Sequence, residues 1–365
     1  MKKQHALYQL FGFGIFTLIV FLVSCISVSN RRSSRWIEIE PQTTLSETLD
    51  LAIDTNVKDS EPGIAMMVFQ GGEVIYEHYK GMANIDRNLP IQGNTGFRLA
   101  SVSKTFTALA ILQLYENGKL SLDDSIRDYL PDVPENWERI TIHDLLSHRS
   151  GIPDFLNDES SIPEVLDNDY VRNEYIHKRT LEFEPGESFD YSNTGYVLLA
   201  EIVTAVSGLN FDDYMDRYIF APLDMQDSFI YDGDLGEHSL NALNFGLTEK
   251  IYGRDATFTG SSSQVSSLHD MQKFITGLLE ERIVTKETLG LLRTPYSDTR
   301  DESNYGYGIY NSNAGQTSFH TGRHDGFAIA ISIHWDSNTS IIILQNGGKR
   351  ESADILLKLA GPFLQ

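Results

Sequence analysis

Phe97-Arg98-Leu99-Ala100-Ser101-Val102-Ser103-Lys104-Thr105-Phe106-Thr107-Ala108 is the stretch on which the reading of this chain turns. From Ser101 onward, Phe106, Leu109, Ala110, Leu112 and Leu114 recur at helical intervals, and Gly118 follows Asn117 where a glycine commonly ends a helix. The pattern predicts a helix over 101–117. Ser101 and Lys104 stand three apart at its start, so a hydroxyl and an amine share one face. A serine hydroxyl is a weak nucleophile until a base takes its proton, and an amine can be that base once burial lowers its pKa toward neutrality. The start of a helix also offers free N–H groups to an oxyanion. The plainer reading makes Ser101 a helix cap and Lys104 a solvated first-turn residue, and the pair alone does not decide against it.

Working outward, a helix fits Thr44 to Val57, and two strands, Gly63 to Phe69 and Val74 to Tyr79, flank the turn residues Gly71-Gly72. The middle of the chain reads as helical, with segments such as Gly195–Ser207 and Phe211–Phe220 between loops rich in Pro and Gly. Beyond Gly260 a helix fits Leu268–Glu281, then strands Ala328–His334 and Ser340–Leu344, then a closing helix from Ser352. Strands at both ends around a helical middle imply an α/β (α+β) fold. Its mainly antiparallel sheet is built from the two termini and flanked by helices, with a mostly helical insertion alongside.

The 365 residues carry 51 acidic against 29 basic side chains, and a chain this negative repels nucleic-acid backbones, so no nucleic-acid partner is expected. Lys2 and Lys3 precede an apolar run from Leu10 to Val23, as in an export signal. The run ends in Leu22-Val23-Ser24-Cys25, which resembles the lipobox of bacterial lipoproteins and implies a signal over 1–24, lipidation at Cys25 and a membrane-tethered protein of the cell envelope. A plain secretory signal or an uncleaved anchor are the alternatives. Residues 25–43 read as a flexible tether and 44–365 as the domain. Cys25 is the only cysteine, which excludes a disulfide framework, a thiolate metal site and a cysteine nucleophile.

The block around Ser101 resembles the serine β-lactamase and penicillin-binding-protein superfamily, one home of Ser-x-x-Lys. That resemblance implies two further elements. Tyr191-Ser192-Asn193, just before a helix, matches the first: the phenol beside a cationic lysine can be drawn toward phenolate and share the base role, and the amide can orient Lys104 and a substrate carbonyl. Tyr115-Glu116-Asn117 has the same pattern but ends a helix. Phe319-His320-Thr321-Gly322-Arg323-His324-Asp325-Gly326-Phe327 matches the second, an edge strand in the family. There His320, Thr321 and Gly322 would line the cleft, and the N–H of Arg323 would complete an oxyanion hole with that of Ser101. A histidine where the family often has lysine offers a weaker, pH-dependent partner for a substrate carboxylate. Arg323 stands where the family more often has a small residue, and with the neighbouring His324 and Asp325 it can instead read an acidic or polar substrate group.

Ile142-His143-Asp144-Leu145-Leu146-Ser147-His148-Arg149-Ser150-Gly151-Ile152-Pro153 and Ala221-Pro222-Leu223-Asp224-Met225 extend the resemblance from about Thr44 to the C-terminus. His143 and His148 lack a third ligand at metal spacing, so neither a metal nor a cofactor is expected. The resemblance implies a serine hydrolase acting on a small-molecule or peptide substrate: an esterase, a D-amino-acid peptidase or a β-lactamase. A tethered recognition module without turnover is the competing reading. Gly-x-Ser-x-Gly, His-Glu-x-x-His and glycine-rich phosphate loops are absent from the sequence.

Overall fold

A computed structural model describes residues 36–157, 167–232, 257–299, 303–312, 315–324, 326–347 and 350–364. The predicted lipidation site Cys25 and the signal over 1–24 lie outside the described residues, as does Asp325. The chain builds one eight-stranded antiparallel sheet from β1 (Ile64–Gln70), β2 (Glu73–Lys80), β3 (Ser297–Asp298), β4 (Asn304–Tyr305), β5 (Tyr310–Ser312), β6 (Thr317–His324), β7 (Phe327–His334) and β8 (Thr339–Gln345). Across the sheet, β2 and β1 lie at one side, β8 pairs with β1, and the remaining strands follow in descending order to β3 at the far edge. The two ends of the chain thus meet where β1 and β8 pair from Ile64 opposite Gln345 to Gln70 opposite Thr339.

Alternation along each central strand divides the core. Ile64, Met66 and Val68 of β1, with Ala330, Ile341 and Ile343, pack under the terminal helices α1 (Leu45–Asn56) and α5 (Arg350–Ala360). Ala65, Met67 and Phe69, with Ile329, Ile331, Ile342 and Leu344, face the helical layer on the other side. A sheet covered on both faces needs strands apolar at nearly every position, and Ile-Ala-Met-Met-Val-Phe is buried throughout. Thr44 caps α1 through a reciprocal capping box with Glu47. Gly71 and Gly72 take φ of +57° and +87°, as the tight hairpin turn between β1 and β2 requires.

The helical layer centres on α2 (Ser103–Glu116), with α3 (Asn193–Ser207) and α4 (Leu268–Leu279) against it. Every residue of α2 from Ser103 to Leu112 is buried, so this is a core helix enclosed all round rather than one with a single apolar stripe. Phe106 stacks on Phe274 of α4 with ring centroids 3.7 Å apart. Two buried hydroxyls of α2 find carbonyls, Thr105 Oγ1 donating to Gly308 O and Thr107 Oγ1 to Gly260 O, both at 2.7 Å, while Ser103 Oγ accepts from the Gln264 N–H at 3.2 Å.

Three expectations change. The strand bearing His320 is not an edge, because β5, β4 and β3 continue the sheet beyond it; strands of two or three residues carry too little alternation to be read from sequence. The middle of the chain also contributes a small sheet, Phe97–Arg98, Gln264–Ser266 and Phe229–Ile230, that precedes and braces the Ser101 turn. And the packed domain starts before Thr44: Trp36 is buried against the terminal helices, and Asn56 Oδ1 accepts from the Ile37 N–H at 2.6 Å.

Candidate active site

Ser101 precedes the regular helix by two residues instead of opening it. Ala100–Val102 form a 3-10 turn and the regular helix begins at Ser103. Ala100 sits at φ +49°, a left-handed conformation unusual for a residue with a side chain, so the chain turns sharply just before Ser101. Ser101 caps nothing: the residue before the turn is Leu99, the one before the helix is Val102, and neither junction has a side-chain cap. Ser101 instead lines a cleft of about 250 Å³ together with Tyr191, Tyr310, His320, Thr321, Gly322 and Arg323. Gly322 is what lets β6 approach: a Cβ there would lie 2.1 Å from Leu99 O and 3.2 Å from the Ala100 Cβ.

Lys104 is fully buried, and its Nζ contacts define the site. It donates to Asn193 Oδ1 at 2.7 Å and to Ser261 O at 2.9 Å, and lies 3.5 Å from Ser101 Oγ. Burial draws its pKa down to about 7, although the Asp154 carboxyl pulls the other way. The rings of Tyr191 and Tyr196 lie 4.9 and 5.6 Å from Nζ.

Asn193 is the first residue of α3, and the cap there is Ser192, whose side chain accepts from the Gly195 N–H. The Asn193 amide is therefore free to serve the site: while Oδ1 takes Lys104, Nδ2 donates to Asp154 Oδ2 at 2.7 Å. The pattern at Tyr115-Glu116-Asn117 proves to be a helix end, with Asn117 Nδ2 on Gln113 O.

The tyrosine departs from its predicted charge state. Its hydroxyl oxygen is buried and closes no full hydrogen bond among the described residues, and burial raises its pKa well above 10 against a smaller opposing effect of Ser101. Tyr191 is held as a phenol, not drawn toward phenolate. His320 departs likewise. Burial, then the nearby Lys104, draws its pKa down to about 3, so the ring is neutral across the physiological range and is not a pH-dependent partner there. Its Nδ1 is 2.8 Å from Thr321 O, which can only accept, so the proton is on Nδ1, and Nε2 faces the Tyr305 hydroxyl at 3.3 Å. Arg323 points out from β6 as an exposed residue at the cleft rim, and His324 is buried beside Arg98, which with burial lowers its pKa to about 3.

The remaining histidines have local partners. His143 Nδ1 meets the Tyr307 hydroxyl at 2.7 Å. His148, at φ +58°, accepts from the Ser192 N–H at 3.1 Å and packs 4.3 Å from the Tyr191 ring, so it holds the turn that carries Tyr191 and Asn193. Burial keeps it neutral, with Lys104 and His320 acting in the same direction. Among the described residues no group of acidic, histidine or cysteine side chains is arranged to hold a metal ion.

Two contributors to the site carry no motif of their own: Asp154, directly after Pro153, and Ser261, whose contribution is a main-chain carbonyl that no side-chain pattern marks.

With this geometry in hand, the chain can be set beside known proteins. The Beta-lactamase family model matches residues 49–361. Over 305 residues the chain is 28% identical to penicillin-binding protein 4* of Bacillus subtilis (strain 168), covering 77% of this chain and 67% of that protein. It is 28% identical over 321 residues to protein flp of Staphylococcus aureus (strain MRSA252), covering 82% of this chain and 62% of that one, so it spans less than two thirds of this second relative. The crystal structure of penicillin binding protein from Bacillus halodurans superposes with a TM-score of 0.73 at 26% identity, covering 82% of this chain and 95% of that one. A match over most of the chain, with Ser101, Tyr191 and His320 lining one cleft and the buried Lys104 Nζ 3.5 Å from Ser101 Oγ, places the protein in the β-lactamase family of penicillin-binding-protein-like serine hydrolases.

Proposed function

We propose that the protein hydrolyses ester, amide or D-amino-acid peptide bonds through an acyl-enzyme on Ser101. The observation that carries this reading is the set of contacts around Lys104 Nζ. A neutral amine has two N–H bonds and one lone pair; Asn193 Oδ1 and Ser261 O take the two hydrogens, which leaves the lone pair for the third direction, where Ser101 Oγ lies. At a pKa of about 7 half of the lysines are in that neutral form at neutral pH.

In this mechanism Lys104 removes the Ser101 proton as Oγ attacks the carbonyl. The N–H groups of Ser101 and Arg323 hold the oxyanion, and the intermediate collapses with proton delivery to the leaving group. Tyr191, a phenol, passes that proton as a donor rather than as a phenolate base. Water then attacks the ester carbonyl, with Lys104 again as base, and the second intermediate collapses with cleavage of the acyl–Oγ bond and return of the proton to Ser101 Oγ. His320 and Thr321 shape the wall of the cleft as neutral groups. We further propose that Cys25 carries a lipid holding the domain at the cell envelope. The support is the sequence pattern Leu22-Val23-Ser24-Cys25, and the check is a shift of the protein to the soluble fraction in Cys25→Ser.

The test exposes the domain to a fluorophosphonate, a fluorescent penicillin and a short-chain nitrophenyl ester beside Ser101→Ala. Labelling and ester turnover that vanish in Ser101→Ala are expected, with kcat/KM rising with pH through about 7 as Lys104 loses its proton. A wild type that is neither labelled nor active, or a Ser101→Ala variant that is labelled and turns over ester as well as an active wild type does, overturns the proposal.

A further inference from the structure

We propose that Asp154 is a positioning residue of this site: by fixing which way the Asn193 amide faces, it turns the lone pair of Lys104 onto Ser101. The inference rests on the reading of Lys104 as the base and adds a residue which that reading does not require.

Asp154 is buried, in the loop after Gly151-Ile152-Pro153, some distance in sequence from the Asn193 it touches and the Lys104 whose charge it feels. Its carboxyl receives N–H donors: Leu156 N–H on Oδ1 at 3.1 Å, Asn193 Nδ2 on Oδ2 at 2.7 Å, and the Asn193 main-chain N–H. Each of these partners can only donate, so the carboxyl acts there as an acceptor. An amide has one accepting and one donating end. With Nδ2 committed to Asp154, Oδ1 must face Lys104, as it does at 2.7 Å. Were the amide turned over, Nδ2 would face the amine, the lone pair of a neutral lysine would accept from it, and nothing would be left to take a proton from Ser101. Asp154 excludes that arrangement.

Charge adds a second effect. Burial pushes the Asp154 carboxyl upward, while the donors around it and Lys104 favour its ionised form, and its charge in turn raises Lys104. The other groups around the pair are accounted for. Tyr191 and Tyr196 are phenols on the lysine side, His148 and His320 are neutral, and Tyr175 and Glu182 are the further titratable groups that feel Asp154, both raised chiefly by burial. Asp154 is the acid whose removal changes the charge beside Lys104.

Two substitutions separate orientation from charge. Asp154→Asn keeps an oxygen for Asn193 Nδ2 and loses the charge; turnover is expected to fall less than about tenfold, with the rising limb of kcat/KM displaced to lower pH. Asp154→Ala loses the orienting acceptor; kcat is expected to fall about 100-fold with KM little changed, because positioning rather than binding is lost. Thermal melts accompany both, and if Asp154→Ala does not fold, the pH profile of Asp154→Asn decides. A limb in Asp154→Asn that coincides with wild type overturns the inference, as does wild-type kcat in a folded Asp154→Ala. Fluorophosphonate labelling of Ser101 in the wild type keeps this failure distinct from failure of the hydrolase reading, since unlabelled wild-type protein sinks both.

Discussion

Two buried asparagines, Asn193 and Asn346, do the same geometric work in different company. Asn346, just past β8, accepts from the Gly63 N–H at 2.7 Å and donates to Met82 O at 3.0 Å and more weakly to Ala83 O at 3.4 Å. It ties the start of β1 to the short strand after the hairpin, and these three groups are main-chain ones that hold no titratable proton. Asn193 bridges Lys104 and Asp154, both ionisable. A buried amide among neutral partners stabilises one arrangement of the backbone. Among ionisable partners it also sets where a proton rests, so its removal should appear in a pH profile as well as in a melting curve.

The sharpest way to break the comparison is to remove the proton carrier. Lys104→Met should lower ester turnover by about 10³-fold, the scale of a lost general base. The same substitution has a stability signature with a defined sign. Folding lowers the lysine from 10.5 to about 7, so below 10.5 the folded state must hold as an amine a group that the unfolded chain protonates. This opposing contribution grows as pH falls and levels off below about 7. Between pH 7 and 9.5 the wild type should therefore gain on the order of 3 kcal/mol relative to Lys104→Met, at about 1.4 kcal/mol per pKa unit. Denaturant melts of both proteins across that range measure it. Parallel stability curves would mean that Lys104 is charged in the folded protein and that the contrast between the two asparagines is one of position only.

Next in size is Asn193→Leu. It removes the oxygen that orients Lys104 and leaves Asp154 facing a hydrocarbon; turnover should fall about 100-fold. The rising limb should move to lower pH, because the charged lysine has lost an acceptor. Full activity in a folded Asn193→Leu protein would assign the orientation of Lys104 to Ser261 O alone.

How far each region was legible follows from the same contrast. The central sheet announces itself, because burial on both faces forces Ile64 to Phe69 and Phe327 to Ile333 to be apolar, and an apolar run survives in the sequence whatever it packs against. The terminal pairing of β1 with β8 followed from having strands at both ends. The short strands β3 to β5 did not, since two or three residues cannot show a period. In the site, Ser101, Lys104, Tyr191, Asn193 and His320 could be picked out by side-chain type within short motifs. Their charge states could not, because these depend on how completely each is enclosed: the same burial that lowers the pKa of Lys104 holds Tyr191 as a phenol and His320 as a neutral ring. Asp154 and the turn at Ala100 were hidden for another reason. One acts through a residue 39 positions away, and the other is a backbone conformation its alanine does not advertise.

The smallest effect on turnover is expected at Asn346→Leu, and there the two regions should part most cleanly. The substitution leaves the Gly63 N–H and Met82 O, both shut away from water, without their partner, and each such loss costs about 1–3 kcal/mol, so stability should fall by about 3 kcal/mol. The damage lies where β8, the hairpin and the Met82–Asn84 strand meet, on none of the elements that carry Ser101, Lys104 or Asn193. Turnover at a temperature well below the melt should therefore stay within about twofold of wild type, and the rising limb should not move, because Gly63 N–H and Met82 O hold no titratable proton and lie apart from the elements around Lys104. A displaced limb in Asn346→Leu would show that strain at the junction of the termini reaches Lys104 through β1 and α4, and the amide at Asn193 would then no longer be special in coupling structure to the proton.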